Sequence, residues 1–458
     1  MTASTLRSEG STAGKLPTPP GPRLPIAVQS ILFATQRHRL LRLLHRRYGS
    51  VFAFQVFPER DVVSISDPND IKELFSGPVT TFHAGEGNQI LKPVMGEHSV
   101  LTTDEEEHRR IRTLLTPPFT GAALRGYRGM VADIAEREIV RWPVGRPFRT
   151  HGSMQRLTFE VILRVVLGVS DGPRLDELRH TLGGVIDISA LDIFGWHNER
   201  MQRYGRWRRN QELLRRSDEL LYAEIADRRA APDLAERTDV LSRLLQAGSG
   251  DDALTDAELR DQLVTLLLAG HETTATALAW CWHELSRSPE TQARAAKAAD
   301  EDDDRYLEAV AKEAMRLRPV IYEVARRTTE PVTVGGFHVP AGTTIMPAIG
   351  VVQSDPEQHD DPETFRPERF LDGSTSPRSW LPFGFLDGST SPRSWLPFGG
   401  GVRRCLGAGF ALMEATEVLR AVLTPYHLEP DRARREQVKP RNITFTPARG
   451  ARTIVTNR

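Results

Sequence analysis

The residue types best suited to redox or metal chemistry concentrate in one stretch, Phe398-Gly399-Gly400-Gly401-Val402-Arg403-Arg404-Cys405-Leu406-Gly407. A lone cysteine is most often a small buried hydrophobe. Here the neighbours argue for more. Three consecutive glycines permit tight backbone geometry beside a bulky group, Arg403 adds a fixed positive charge, and Gly407 stands where a helix would open. Backbone N–H groups and a positive helix end favour the thiolate of Cys405. A thiolate is the soft, electron-donating ligand that haem iron takes when oxygen is to be cleaved rather than carried. A dinucleotide-binding loop is the competing reading of the glycines, and it fails. Gly407-Ala408-Gly409-Phe410-Ala411-Leu412 lacks the third glycine, and no strand pattern precedes it.

A second group of reactive side chains lies inside a long helical pattern from Thr255 to Ser288, which opens with Thr255 and Glu258 at capping-box spacing and stops before Pro289. Leu263, Val264, Leu266, Leu267, Leu268, Leu278 and Ala279 make its middle apolar on most sides, so the helix is expected to be buried. Within it stands Ala269-Gly270-His271-Glu272-Thr273-Thr274. A carboxylate and two hydroxyls are expensive in such a place without partners and point to a site. The plainer reading is a hydroxyl bonded back to the helix carbonyl. A zinc-protease helix is excluded, because the second histidine it needs falls at Ala275.

The order Phe-x-x-Gly-x-Arg-x-Cys-x-Gly, filled by Phe398, Gly401, Arg403, Cys405 and Gly407, resembles the haem-ligand loop of the cytochrome P450 monooxygenases. The resemblance makes Cys405 the proximal iron ligand of haem b, with Phe398, Arg403 and Gly407 around the cofactor. It also extends to Ala269–Thr274, similar to that family's oxygen-binding segment. By it, small Ala269 and Gly270 leave room for dioxygen and allow a local helix distortion, Thr273 hydrogen-bonds the bound oxygen, and Glu272 feeds protons inward from solvent. Thr274 is a weaker candidate, and His271 shapes the surroundings. Glu313-Ala314-Met315-Arg316 and Pro367-Glu368-Arg369-Phe370 follow in family order, which implies a buried network of Glu313, Arg316 and Arg369 supporting the cysteine loop. A haem brings two propionates. His108 and Arg112, four apart on one helix face, are the implied partners with Arg326 and Arg403, although a solvated charged face is the plain reading of the first two.

The elements that must hold these residues read as mostly helical. An amphipathic helix runs from Ile26 to about Tyr48-Gly49, with arginines between leucines, and a solvated face is favoured there over a membrane-touching one. Val51–Val56 and Val62–Ser66 look like paired strands. Helices then follow to about residue 325, broken at Pro117-Pro118, Gly168, Pro232 and Gly248-Ser249-Gly250. Strands return at Val332–Val334, Phe337–Val339 and Thr343–Met346. The expected fold class is mainly α with a small β-rich subdomain, the cytochrome P450 fold. The expected organisation is a flexible arm over residues 1–24 and one haem-thiolate domain over 25–458.

Composition sets the outer bounds. The 458 residues carry 60 basic and 60 acidic side chains, which excludes a chain built as a whole to coat nucleic acid or anionic membrane, while local basic patches stay open. Two cysteines exclude a disulfide scaffold and a four-cysteine zinc site, and Cys281, beside Trp280 and Trp282, reads as core. Without a signal-peptide pattern or membrane span, a cytoplasmic protein is expected. No flavin or iron–sulfur module is encoded, so electrons are expected from an external ferredoxin and ferredoxin reductase, docking on the basic face near Arg404. The substrate is expected to be small and apolar, bound by His83–Ser99, Ile186–Trp196 and Val320–Val324. One oddity remains. Residues 370–384 and 385–399 are the same 15 residues twice over, FLDGSTSPRSWLPFG, placed between Arg369 and Cys405. If one copy loops out, the enzyme is intact. If two registers compete for Trp380 or Trp395, the alternative is a haem protein without turnover. A peroxide-driven or isomerising enzyme is a third reading, disfavoured by Glu272 and Thr273.

Overall fold

The computed structural model describes residues 16–58, 60–168, 172–186, 203–247, 253–371, 395–441 and 443–458. Helix α1 (Ile26–Tyr48) leads into the antiparallel pair β1 (Val51–Val56) and β2 (Arg60–Ile65), with Val51 opposite Ile65. Helix α2 (Pro68–Ser76) starts on Asp67, whose side chain accepts from the Asn69 and Asp70 N–H groups. Strand β3 (Phe82–His83) precedes α3 (Glu105–Leu115), α4 (Gly121–Ile139), the short β4 (Phe148–Arg149) and α5 (Thr150–Leu167). Pro117–Phe119 forms a 3-10 turn between α3 and α4, and Gly168 closes α5 in the left-handed region at φ 63°, as breaks at those residues require. Helices α6 (Pro173–Ile186), α7 (Gly205–Ala230) and α8 (Val240–Ala247) follow. Ala231, the residue before Pro232, is extended and ends α7. The glycine break at 248–250 lies outside the described residues.

The central helix α9 (Asp256–Leu285) has the expected capping box: Thr255 Oγ1 accepts from Glu258 N, and the Glu258 carboxylate accepts from Thr255 N at 2.8 Å. It runs 30 residues, about 45 Å at 1.5 Å per residue. Around it pack α5, α10 (Pro289–Asp300), α11 (Asp304–Leu317) and α12 (Ala408–Leu423), with α4 packed on α5 and α12, forming the largest hydrophobic core. Cys281 lies in that core with no exposed surface.

Among the described residues, four short strands come between α11 and α12: β5 (Arg326–Thr328), the hairpin β6 (Val332–Val334) and β7 (Phe337–Val339), and then β8 (Thr344–Pro347). A five-stranded sheet in the order β1-β2-β8-β5-β3 joins residues far apart in sequence, β2 and β8 in parallel. Arg326 is thereby held between β8 and β3, with Ile345 as its partner. Strands β9 (Tyr426–Pro430), β10 (Val438–Arg441), β11 (Thr444–Pro447) and β12 (Arg452–Asn457) finish the chain in a three-stranded sheet β4-β12-β9 and a β10-β11 hairpin. The described part of the N-terminal arm is docked. Pro17 O accepts from His338 N at 2.9 Å, and Pro20 O accepts from Ala53 N at 2.7 Å, so the chain lies along the sheet from its described start. Among the described residues, no helix is long and apolar enough to cross a membrane.

Candidate haem-thiolate site

The cysteine loop is folded by its own backbone. Gly399 and Gly401 sit at φ 64° and 65°, where only glycine is unstrained, and Gly401–Arg403 is one 3-10 turn. A Cβ on Gly401 would stand 1.9 Å from the Phe75 carbonyl oxygen, so the tight approach these glycines allow is to α2. Arg404 N donates to Gly401 O at 3.1 Å, Cys405 N donates to Phe398 O at 2.9 Å, and Gly407 caps α12 as expected. Cys405 stays uncovered, although Leu406 and Phe398 pack against the main core. Its sulfur accepts a hydrogen bond from Gly407 N–H and feels Arg112 and Arg404. Those groups are the expected thiolate stabilisers, yet the site is deep in the protein, and burial prevails: the thiol pKa lies above its ordinary value.

The four cationic candidates converge. His108 is buried, and its pKa is pushed down to about 3 by burial first and then by Arg403, Arg112 and Arg326. Arg326, pinned by its donation to Ala325 O at 2.8 Å, is pushed down to about 10 by burial and by Arg403, against the pull of Asp104. Arg403 binds Asp104 Oδ1 at 2.6 Å and Thr103 O at 2.7 Å. Arg112 reaches across to Arg404 O at 2.7 Å, tying α3 to the cysteine loop. Among the described residues, neither Arg112 nor Arg326 has a carboxylate in ion-pair contact, and Asp104 is the one acid paired with Arg403. Three guanidinium groups against one carboxylate leave a buried positive excess. That excess suits the two propionates of a haem.

The central helix carries a single uncovered stripe. Leu266, Ala269, Gly270 and Thr273, at helical spacing, are left partly or wholly open; Leu268, the one other residue from Glu258 to Leu285 that is not buried, packs beside Val94 and Leu214. Thr273 Oγ1 bonds back to Ala269 O at 2.6 Å. His271 and Glu272 turn the other way, toward α5. The His271 ring meets Thr158 Oγ1 at 3.1 Å and lies 5.0 Å from the Phe159 ring, and burial pushes its pKa down to about 4, which keeps it neutral. Glu272 accepts from Gln155 Nε2 at 2.7 Å and Arg441 Nη1 at 3.2 Å, with His151 Nε2 at 3.5 Å. Burial alone would raise its pKa, but His151, Arg441 and Gln155 outweigh it and hold the carboxyl below its ordinary value. Two expectations change here. The helix runs through Gly270 without distortion, and a Cβ there would come within 2.8 Å of the Ile162 side chain, so the glycine is needed for the approach of α5. Thr274 is buried, off the uncovered stripe.

The supporting network forms as expected. Glu313, with no exposed surface, receives Arg316 Nε at 2.7 Å, Arg316 Nη2 at 2.8 Å, Arg369 Nε at 3.0 Å and Arg366 N at 3.0 Å. Sequence reasoning missed the link from this network to the loop. Gln353 Nε2 donates to Met315 O and Arg316 O, both at 3.1 Å, while its Oε1 accepts from Leu396 N at 3.0 Å. Asp104, His151, Gln155 and Arg441 were also missed as site residues. Only Asp104, ahead of three glutamates, carried a local signal, and it pointed to a helix cap.

Of the expected substrate segments, Ile186–Trp196 lies outside the described residues except for the backbone of Ile186. His83–Ser99 is strapped to α9: His98 N donates to Asp261 Oδ2 at 3.0 Å, and Ser99 Oγ meets Thr265 Oγ1 at 2.6 Å. In Val320–Val324, Tyr322 packs on Phe445 and Glu323 pairs with Arg37 at 3.2 Å, so these two turn toward α1. Most of the duplicated segment, 372–394, is likewise outside the described residues. Its two ends meet: the Phe370 and Trp395 rings are 5.6 Å apart, and Trp395 donates to Lys312 O at 3.2 Å.

Comparison with known proteins follows the same lines. Residues 18–452 match the family description "Cytochrome P450". The chain is 47% identical over 441 residues to cytochrome P450 135A1 of Mycobacterium tuberculosis, covering 94% of each. It is 42% identical over 441 residues to cytochrome P450 135B1 of Mycobacterium bovis, covering 95% of this chain and 90% of that one. Among solved structures it is similar to the retinoic acid-bound cyanobacterial CYP120A1, with TM-score 0.83, 24% identity and coverage of 97% and 100%. The haem domain of cytochrome P450DA gives TM-score 0.81 at 22% identity, covering 97% of this chain and 98% of that one.

Proposed function

The chain belongs to the cytochrome P450 family, and on that premise we propose that it is a haem-thiolate monooxygenase which inserts one oxygen atom of dioxygen into a small apolar substrate. The observation that carries this reading is the coexistence of an uncovered Cys405, a buried cation excess and one uncovered stripe on the central helix ending at Thr273. Cys405, with His108, Arg112, Arg326 and Arg403, would hold haem b, which when bound would supply the iron for dioxygen activation. Phe398 and Gly407 fix the loop that presents the sulfur.

The chain's own part is to orient and to deliver protons. Thr273 Oγ1 can exchange its bond to Ala269 O for one into the open side of the helix, where it orients the reacting oxygen. Glu272, ionised and flanked by His151 and Arg441, moves protons from the α5 side toward that hydroxyl. The main-core packing around α9 keeps bulk water from this path. Electrons come from an external ferredoxin and its reductase, which dock where Val402 is exposed at the tip of the cysteine loop beside Arg404. The working compartment is the cytoplasm.

The test uses haem-loaded protein. Apolar compounds are screened for a spin-state shift of the haem, and those that shift it are incubated with ferredoxin, reductase and isotopically labelled dioxygen. One labelled oxygen atom in the product is expected. Absence of product with every shifting compound would overturn turnover, and label arriving from water would overturn oxygen insertion.

A further inference from the structure

Three carboxylates meet one histidine at the joint between β3 and the start of α3. His83 ends β3 and pairs in register with Arg327 of β5. Its Nδ1 lies 2.9 Å from Glu86 Oε1, its Nε2 lies 2.8 Å from Glu105 Oε1, and Asp104 Oδ2 is 3.8 Å from Nδ1. A carboxylate only accepts, and a neutral imidazole has one N–H and one lone pair. Both short contacts are therefore hydrogen bonds only when the ring carries two protons. The bases facing the group are Arg327, whose Nε is 3.6 Å from Glu86 Oε2, and Arg403, which holds Asp104 Oδ1 at 2.6 Å. Three acids stand against His83 and these two arginines, so the charges balance when the ring is an imidazolium. Burial opposes that charge, but Glu86, Glu105 and then Asp104 outweigh it and hold the His83 pKa above its ordinary value.

The joint has a second arrangement within reach. Asp104 occupies the N-cap position of α3 without capping it, and Glu105 beside it sits at φ 47°. The Asp104 carboxylate instead accepts from Gly85 N, Glu86 N and Arg403. A Cβ on Gly85 would stand 2.6 Å from Asp104 Oδ2, so the two segments touch without room for a side chain. Among the described residues, His83 is the one hydrogen-bond partner of the Glu105 side chain. Once Glu105 is released, its backbone can relax, and Asp104 can turn to the open N–H groups of its own helix, which an aspartate in that position ordinarily takes. His83 therefore stands between the two arrangements.

We propose that His83 is a positioning residue of the cofactor site, a protonation-dependent latch that keeps Asp104 on Arg403 and so makes haem retention depend on pH. The inference rests on the haem reading above. As an imidazolium, His83 fixes Glu86 and Glu105, Asp104 stays on the cysteine loop, and the His83–Ser99 segment is tied to that loop. Loss of one proton sets a lone pair against a carboxylate, Glu105 lets go, and Asp104 exchanges Arg403 for its own helix. The direction of the shift fixes the sign: the tie is complete below the ordinary imidazole pKa and is lost as the pH rises through the raised one. His108 and His271, pushed down to about 3 and about 4, do not change charge in that window. His98, raised by its bond to Glu107 at 3.1 Å against burial, with Asp261 and Glu258 adding to the pull, does change charge there and serves as the control.

Haem-loaded full-length protein is mixed with excess apomyoglobin from about pH 6 to about pH 9. The rate of haem transfer is recorded together with the amide exchange of Gly85 and Glu86, corrected for the intrinsic effect of pH. In the parent both rates are expected to rise about fivefold through one titration step, the worth of a single half-exposed charged contact. His83→Gln is expected to be fast at every pH. His83→Arg, whose charge does not titrate and whose planar fork can serve both carboxylates, is expected to be slow at every pH. His98→Gln is expected to keep the step. A parent without a step, a step that survives in His83→Gln, or equal rates in the glutamine and arginine variants would overturn the proposal. Protein that takes up no haem would instead overturn the haem reading, and the amide exchange of the same variants would still decide for or against the latch.

Discussion

Replacing Gln353 by leucine tests whether the cysteine loop is held from the side of the Glu313–Arg316 network. The side chain has no exposed surface and makes three hydrogen bonds, two to the last carbonyls of α11 and one from Leu396 N, nine residues before Cys405. Leucine has nearly the same length and no polar atom, so the substitution leaves two buried carbonyls and one N–H without a partner. At roughly 1 kcal/mol for each, the loss is about 3 kcal/mol of stability. Part of that loss should fall on the loop. With Leu396 released, the Trp395–Phe398 contact at 5.8 Å and the Cys405 N to Phe398 O bond lose their anchor. Two measurements separate global from local effects: the denaturant midpoint of the haem-loaded protein, and the fraction of its carbon monoxide complex absorbing as thiolate-ligated haem. Both should fall, and the second should fall before unfolding begins. A stability unchanged within ~0.5 kcal/mol, together with a full thiolate spectrum, would refute the idea that Gln353 couples the two.

Two further outcomes follow from the geometry. Arg441→Met removes a cation that helps hold the Glu272 carboxyl below its ordinary pKa against burial, so that pKa rises. Product formation that depends on ionised Glu272 should then fail at a higher pH than in the parent as the solution is acidified, and an acid limb that stays in place or moves down would contradict the assignment. Deleting residues 370–384 leaves the same sequence as deleting 385–399 and brings one phenylalanine and one tryptophan ten residues apart to the contact now made by Phe370 and Trp395. Haem occupancy and the thiolate spectrum should be unchanged; a spectrum that is abnormal in the parent and restored by the deletion would show that the extra copy disturbs the loop.

The local chemistry of this chain was readable where one stretch holds a whole function. The cysteine loop, the capping box at Thr255, the ends of α1 and the Glu313–Arg316–Arg369 network need only spacing and a known pattern. What escaped depends on contacts between distant segments. Arg441 reaches Glu272 across 169 positions. Strand β5 is three residues of arginine and threonine, with no apolar alternation to announce it, and exists because β8 and β3 flank it. Gly270 was read for the space it leaves, whereas the approach of Ile162 from α5 sets its size. The face of the central helix on which Glu272 lies was equally invisible, because a helix apolar on most sides offers no pattern to orient it.

Asp104 shows how the site is held and at what energetic cost. It stands at the start of α3, where an aspartate ordinarily caps the helix, yet its side chain makes no capping bond. Its carboxylate instead accepts from Gly85 N at 2.8 Å and Glu86 N at 2.9 Å while pairing with Arg403. One acid therefore joins the His83–Ser99 segment to the cysteine loop, and Glu105, next to it, adopts φ 47°, a strained value for a residue with a side chain. That strain is consistent with a carboxylate committed to the site rather than to its own helix. Asp104 cannot balance Arg112, Arg326 and Arg403 together, and unpaired buried charge costs several kcal/mol. The cluster thus works against folding until two more negative charges arrive. On the proposed reading a haem would supply them with its two propionates, so that binding at Cys405 and relief of the cation cluster would act on the same equilibrium. On this argument neutralising Arg326 alone should weaken haem retention while making the haem-free protein more stable, a pairing of opposite effects that a merely structural arginine would not produce.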